Sequence, residues 1–67
     1  MASMKEIRLI QYRIDENLSK INKTVDAGFY PEEYSQFCRT IAALTSEIEY
    51  DVQKIAVLSS QLTQKES

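Results

Sequence analysis

Few side chains in this sequence could do chemistry by themselves. Cys38 is the one thiol, and the chain has no histidine to serve as its base. A lone cysteine on the flank of a helical apolar stripe reads as a small core hydrophobe. The acidic run Glu47, Glu49, Asp51 is the other candidate. Glu47 and Asp51 share a helix face at i,i+4 and could clasp a hard cation. Di-iron bundles, however, combine carboxylates with a Glu-x-x-His motif, which a chain without histidine cannot supply. There is no Gly-rich phosphate loop and no Ser/His/Asp set. The expectation is a chain with no catalytic residue, no cofactor and no metal, hence not an enzyme, with the acidic run as a solvated helix face.

Composition narrows the remaining classes. The 67 residues carry a net charge of −2 and an isoelectric point near 5.0. Residues 1–28 hold five basic and four acidic groups, and residues 29–67 hold three basic and six acidic. Neither half is a cationic footprint, which argues against nucleic acid and anionic membrane as partners. No apolar run approaches the ~20 residues of a membrane span. The start, Met1-Ala2-Ser3-Met4-Lys5, lacks the apolar core of a signal peptide. A single cysteine permits no internal disulfide and suits a reducing, cytoplasmic setting. One domain over residues 1–67, with neither disulfide nor metal to staple it, is small enough to need a partner chain.

What positions the side chains is a turn with two arms. The only glycine and the only proline lie together in Gly28-Phe29-Tyr30-Pro31. Glycine suits the left-handed position just past a helix end, and proline suits the first helical position. Glu32 and Glu33 follow, where the positive end of the next helix favours carboxylates. Before the turn, Ser3-Met4-Lys5-Glu6 matches a capping box. Ile7, Ile10, Ile14, Leu18, Ile21 and Val25 then recur at steps of three or four, in one stripe. Glu16 and Lys20 are spaced for an i,i+4 pair. After the turn, Tyr34, Phe37, Ile41, Leu44, Ile48, Val52, Ile55 and Leu62 continue the same spacing, with Ser59 in a polar slot. The pattern predicts an all-α, antiparallel two-helix hairpin with helices over about 4–27 and 32–62, and a fraying tail Thr63–Ser67. The seam approaches coiled-coil spacing.

Some apolar residues lie off these stripes. Leu9 and Tyr12 point away from the isoleucine stripe, and Ala43, Tyr50 and Val57 recur every seven residues opposite the second seam. Folding back about Phe29 sets Ala56 beside Ser3, so that Val57, Leu58 and Leu62 overhang. Leu9, Tyr12, Ala43, Tyr50, Val57, Leu58 and Leu62 are thus the expected partner interface.

At the turn and along the second arm the sequence resembles the small YscE-type co-chaperones of bacterial type III secretion systems. The resemblance is carried by Gly28, then Pro31-Glu32-Glu33-Tyr34 with Gln36-Phe37, and Ala43-Leu44 downstream. It implies an antiparallel hairpin that pairs with a tetratricopeptide-like, helical-repeat chaperone. That pair holds the needle subunit unpolymerised in the bacterial cytoplasm before export. Gly28, Pro31 and Tyr34 match the family's turn and anchor. Two other readings fit a hairpin of this size. One is a signalling regulator like the Spo0E-type phosphatases, although Ser46-Glu47-Ile48-Glu49 departs from their signature. The other is a structural homodimer forming a four-helix bundle, an assembly also open to a co-chaperone when alone.

Overall fold

The computed structural model describes the backbone of residues 3–66 and the side chains of residues 3–64. Two antiparallel helices form a rod of 55 × 15 × 13 Å. Helix α1 spans Met4–Ala27 and α2 spans Tyr34–Glu66, with a 3-10 turn, Pro31–Glu33, leading into α2. No strand occurs among the described residues. The all-α hairpin with a longer second helix is therefore as the spacing predicts.

The helix ends follow from side chains and backbone together. Ser3 caps α1, its hydroxyl oxygen accepting from the Glu6 N–H at 3.4 Å. The return bond expected from the Glu6 carboxylate is not formed; Glu33 makes the equivalent reach instead. Its Oε1 accepts from the Tyr30 N–H at 3.0 Å, and the Glu33 N–H donates to the Tyr30 carbonyl at 2.8 Å. This exchange, with Pro31 at the first position, closes the 3-10 turn. At the end of α1 the Gly28 N–H donates to the Thr24 and Val25 carbonyls at 3.2 and 3.1 Å. Gly28 has φ 71° and ψ −163°. The positive φ is as expected, but the ψ is extended rather than left-handed helical, a combination almost confined to glycine. A Cβ there would meet nothing within 4 Å, so the demand for glycine is conformational and not steric.

The tail departs from expectation. Residues Thr63–Glu66 continue α2 instead of fraying. Gln64, Lys65 and Glu66 are good helix formers, no glycine or proline interrupts them, and Thr63 returns its hydroxyl to the Ser59 carbonyl at 3.0 Å. The expected end of the fray, Ser67, lies outside the described residues.

The seam is shifted by one residue at four places. In α1 Asn17 is buried and Thr24 half-buried, whereas Leu18 and Val25 are exposed. In α2 Asp51 is buried and Leu58 half-buried, whereas Val52 and Ser59 are exposed. Tyr34 is also exposed. The true seam is thus Ile7, Ile10, Ile14, Asn17, Ile21, Thr24 against Phe37, Ile41, Leu44, Ile48, Asp51, Ile55, Leu58, Leu62. Its steps alternate three and four, the 3.5-residue period that keeps two helices in register over many turns. Choosing the apolar neighbour at each step drifts off that line. Thr24 in the seam and Thr40 on its flank are both half-buried, and their hydroxyls donate to the Lys20 and Gln36 carbonyls at 2.8 and 3.0 Å.

The register also differs. Arg13 bonds Asp51, Asn17 shares a groove with Glu47, and Thr24 shares one with Thr40. Continued along the rod, this brings Ser3 level with Gln61, not Ala56. The 3-10 turn belongs to the connection, so the chain folds back near Glu32 instead of Phe29. Val57 and Leu58 accordingly lie alongside α1, and the overhang shrinks to the last turn of α2. Phe29 closes the turn end, its ring centroid 4.5 Å from Phe37 and 5.4 Å from Tyr34. Tilted aromatic pairs of this kind contribute about 0.5–1.5 kcal/mol each.

Candidate interaction surface

One edge of the rod is a groove built by both helices. In its middle, Arg13 Nη2 donates to Asp51 Oδ1 at 2.7 Å. Asp51 is 5% exposed, whereas the Arg13 side chain is 55% exposed. A buried carboxylate must be paired, and an arginine reaching in from the rim supplies the charge while keeping most of its own surface wet. Asn17 lies beside them, 7% exposed, and lines the same groove with Glu16, Glu47 and Tyr50. No buried side-chain polar atom is left unpartnered among the described residues. Asp51 is therefore not half of a cation clasp with Glu47: its carboxylate is committed to Arg13. The signal for this pair in the sequence is an acid falling on the 3.5-residue line; Asp51 is thus not part of a solvated face.

Toward the turn the groove becomes cationic. Lys20 and Lys23 from α1 and Arg39 from α2 surround Ala43 and Leu44. None of the three forms an ion pair among the described residues. Glu16 and Lys20 line the same groove without making the expected pair.

The predicted contact residues divide. Ala43 and Tyr50 line the groove, and both are exposed. Val57 continues that row one heptad further and is exposed, and Leu9, one turn before Arg13, is exposed on the same side of α1. Tyr12 is exposed elsewhere, in a shallow depression with Met4, Arg8 and Asp15. Leu58 and Leu62 are half-buried seam residues rather than an overhang. Lys54 Nζ lies 5.6 Å from the Tyr50 ring centroid, a cation–π contact at i,i+4. Gly28, Pro31 and Tyr34 lie at or beside the turn, with Tyr34 exposed.

Cys38 is exposed, not a core residue. It follows Phe37 on the rim because the 3.5-residue line runs through Phe37 and Ile41. A side-chain hydrogen bond with Cys38, reinforced by the negative charge of its thiolate form, raises the Tyr34 phenol above its ordinary value of 10.0.

Among the described residues no cluster of three or more His, Cys, Asp or Glu side chains gathers to hold a metal, and no helix is long and apolar enough to cross a membrane. The class that fold and surface define is an open helical hairpin with more apolar surface than its own seam covers. No family model, characterised protein or solved structure matches the chain.

Proposed function

We propose that this protein is a non-enzymatic binding module of the bacterial cytoplasm, a co-chaperone that docks on a helical-repeat, tetratricopeptide-like chaperone of a type III secretion system. Through that chaperone it helps to hold the needle subunit unpolymerised before export. The single observation that carries the reading is the imbalance of burial. Among the described residues only Ile7 and Ile10 of the apolar side chains are buried, whereas Leu9, Tyr12, Tyr50 and Val57 are among the large hydrophobes left open. Contiguous exposed apolar surface on a small chain marks an interaction site. The resemblance of Gly28 and Pro31-Glu32-Glu33-Tyr34 to the YscE-type turn supplies the choice of partner. A chaperone helix laid along the Leu9, Ala43, Tyr50 and Val57 side would meet apolar anchors flanked by the cations Lys20, Lys23 and Arg39.

Co-expression with helical-repeat chaperones of secretion systems tests this. A stable 1:1 complex is expected, weakened by Tyr50→Glu or Val57→Glu with helix content retained. Recovery of the free hairpin alone, with every such chaperone, would overturn the assignment.

A further inference from the structure

The groove toward the turn reverses the charge balance of the chain. Lys20, Lys23 and Arg39 line it, three of the eight basic residues of a chain whose net charge is −2. No Asp or Glu among the described residues lines it with them. All three cations are exposed, and none forms an ion pair among the described residues. Helix dipoles do not account for the cluster. Both lysines precede the last turn of α1, which holds no basic residue, and Arg39 stands in the second turn of α2, toward that helix's positive end. Between the cations the floor is Ala43 and Leu44, and the hydroxyls of Thr24 and Thr40 beside them are committed to backbone carbonyls. Farther from the turn the same edge changes character, with the carboxylates Glu16 and Glu47 beside Tyr50. The edge therefore has a direction: cations alone at the turn, mixed charge in the middle.

We infer that the turn-end groove takes the acidic end of an amphipathic helix from a partner protein. Large apolar side chains of that helix seat on Ala43 and Leu44, and its carboxylates meet Lys20, Lys23 and Arg39. Charge complementarity selects this occupant. Three unpaired cations around one apolar floor repel each other, and carboxylates brought among them relieve that repulsion while the floor holds the apolar stripe. The small side chain of Ala43 lets the incoming backbone come close. A nucleic-acid strand or an anionic membrane suits the edge poorly, because Glu16 and Glu47 continue it and would face phosphate. The same two carboxylates fix the direction of docking: the acidic end of the helix lies at the turn, and its neutral or basic end lies beside Tyr50. A helix entering with its C-terminus at the turn also sets the negative end of its dipole against the cations. The inference rests on the reading of this edge as a docking surface and adds the charge and direction of what docks.

Two synthetic peptides of about 18 residues, long enough to hold a helix, test it. Both carry one leucine stripe; the first has glutamates flanking the stripe at its C-terminal end, the second glutamines at the same places. Fluorescence anisotropy against the full chain at low salt measures each Kd. The acidic peptide should bind at least about tenfold more tightly and lose that advantage in about 0.5 M salt. Lys20→Gln plus Arg39→Gln should abolish the advantage, whereas Lys5→Gln, at the far end of α1, should leave it unchanged. Should the double variant lose helix content, Lys23→Gln carries the same comparison. Equal binding of the two peptides, an advantage indifferent to salt, or one that survives the double variant would each overturn the inference. Capture of the chain by phosphatidylglycerol vesicles through Lys20 and Arg39 would also overturn it, giving the cluster to a membrane. Chaperone complexes separate this inference from the assignment above. A 1:1 complex weakened by Tyr50→Glu but untouched by the double variant keeps the assignment and discards the acidic helix. Peptide selectivity without any chaperone complex does the reverse.

Discussion

The two edges of the hairpin flank the same seam and were built differently. On one, Arg13 and Lys20 share a groove with Glu47 and Asp51, and the buried Asp51 carboxylate depends on an arginine from the other helix. On the other, Leu18, Val25 and Val52 are exposed, and Met4 and Gln11 share a shallow depression with Arg8, Tyr12 and Asp15. The difference teaches that the seam alone does not define this molecule. A 3.5-residue line of Ile, Leu and Phe makes two helices pack, but the flanking positions decide what each edge presents outward.

The comparison breaks first at the seam. Ile10→Ala removes a buried side chain and should cost about 2–4 kcal/mol, whereas Leu18→Ala should cost the isolated hairpin under about 1 kcal/mol. Thermal unfolding at a concentration low enough for monomer measures both. Equal losses would place Leu18 in the core and erase the distinction between seam and edge. A smaller effect comes from the charged edge. Arg13→Met strands the Asp51 carboxylate and should cost about 1–3 kcal/mol, the open position of Arg13 keeping it below the cost of a sealed pair. Adding Asp51→Leu should recover most of that loss, since a seam position prefers an apolar side chain once the charge is gone. Urea titration of the single and double variants decides it; a double variant weaker than Arg13→Met would mean that the pair selects the register.

The smallest effect belongs to the rim near the turn. Tyr34 and Cys38 are linked by a hydrogen bond that raises the phenol above 10.0. A group whose folded pKa lies above its unfolded value stabilises the fold fully below the unfolded pKa and loses that contribution as pH rises through the folded one. The effect is therefore confined to strongly alkaline solution. Tyrosinate absorbance should show one of the four tyrosines titrating later than the rest, and Tyr34→Phe or Cys38→Ala should remove the laggard. Late titration that survives Cys38→Ala would dismiss the thiol as its cause.

Much of the architecture was legible in the residues. The glycine–proline pair at Gly28 and Pro31 marks the turn, Ser3 marks the start of α1, and the three/four spacing of Ile7, Ile10, Ile14 and Ile21 marks its inner face. These are local effects: backbone freedom, a missing N–H, and a helical period need no distant contact to act. The seam was harder to trace where it turns polar. Asn17 and Asp51 look like surface residues beside Leu18 and Val52, because hydropathy ranks side chains one at a time. Arg13 makes Asp51 tenable inside, and Arg13 is 38 residues away in the chain.

What the sequence by itself determined, then, is that two amphipathic helices of unequal length meet at one turn, since capping, proline and glycine chemistry and period are properties of neighbouring residues. Tertiary structure decided the register, the polar members of the seam and which edge carries the Arg13–Asp51 groove. Each of those depends on which residue of α2 stands level with which residue of α1. That alignment follows from the 3-10 turn at Pro31–Glu33, and the ion pair between Arg13 and Asp51 forms within it.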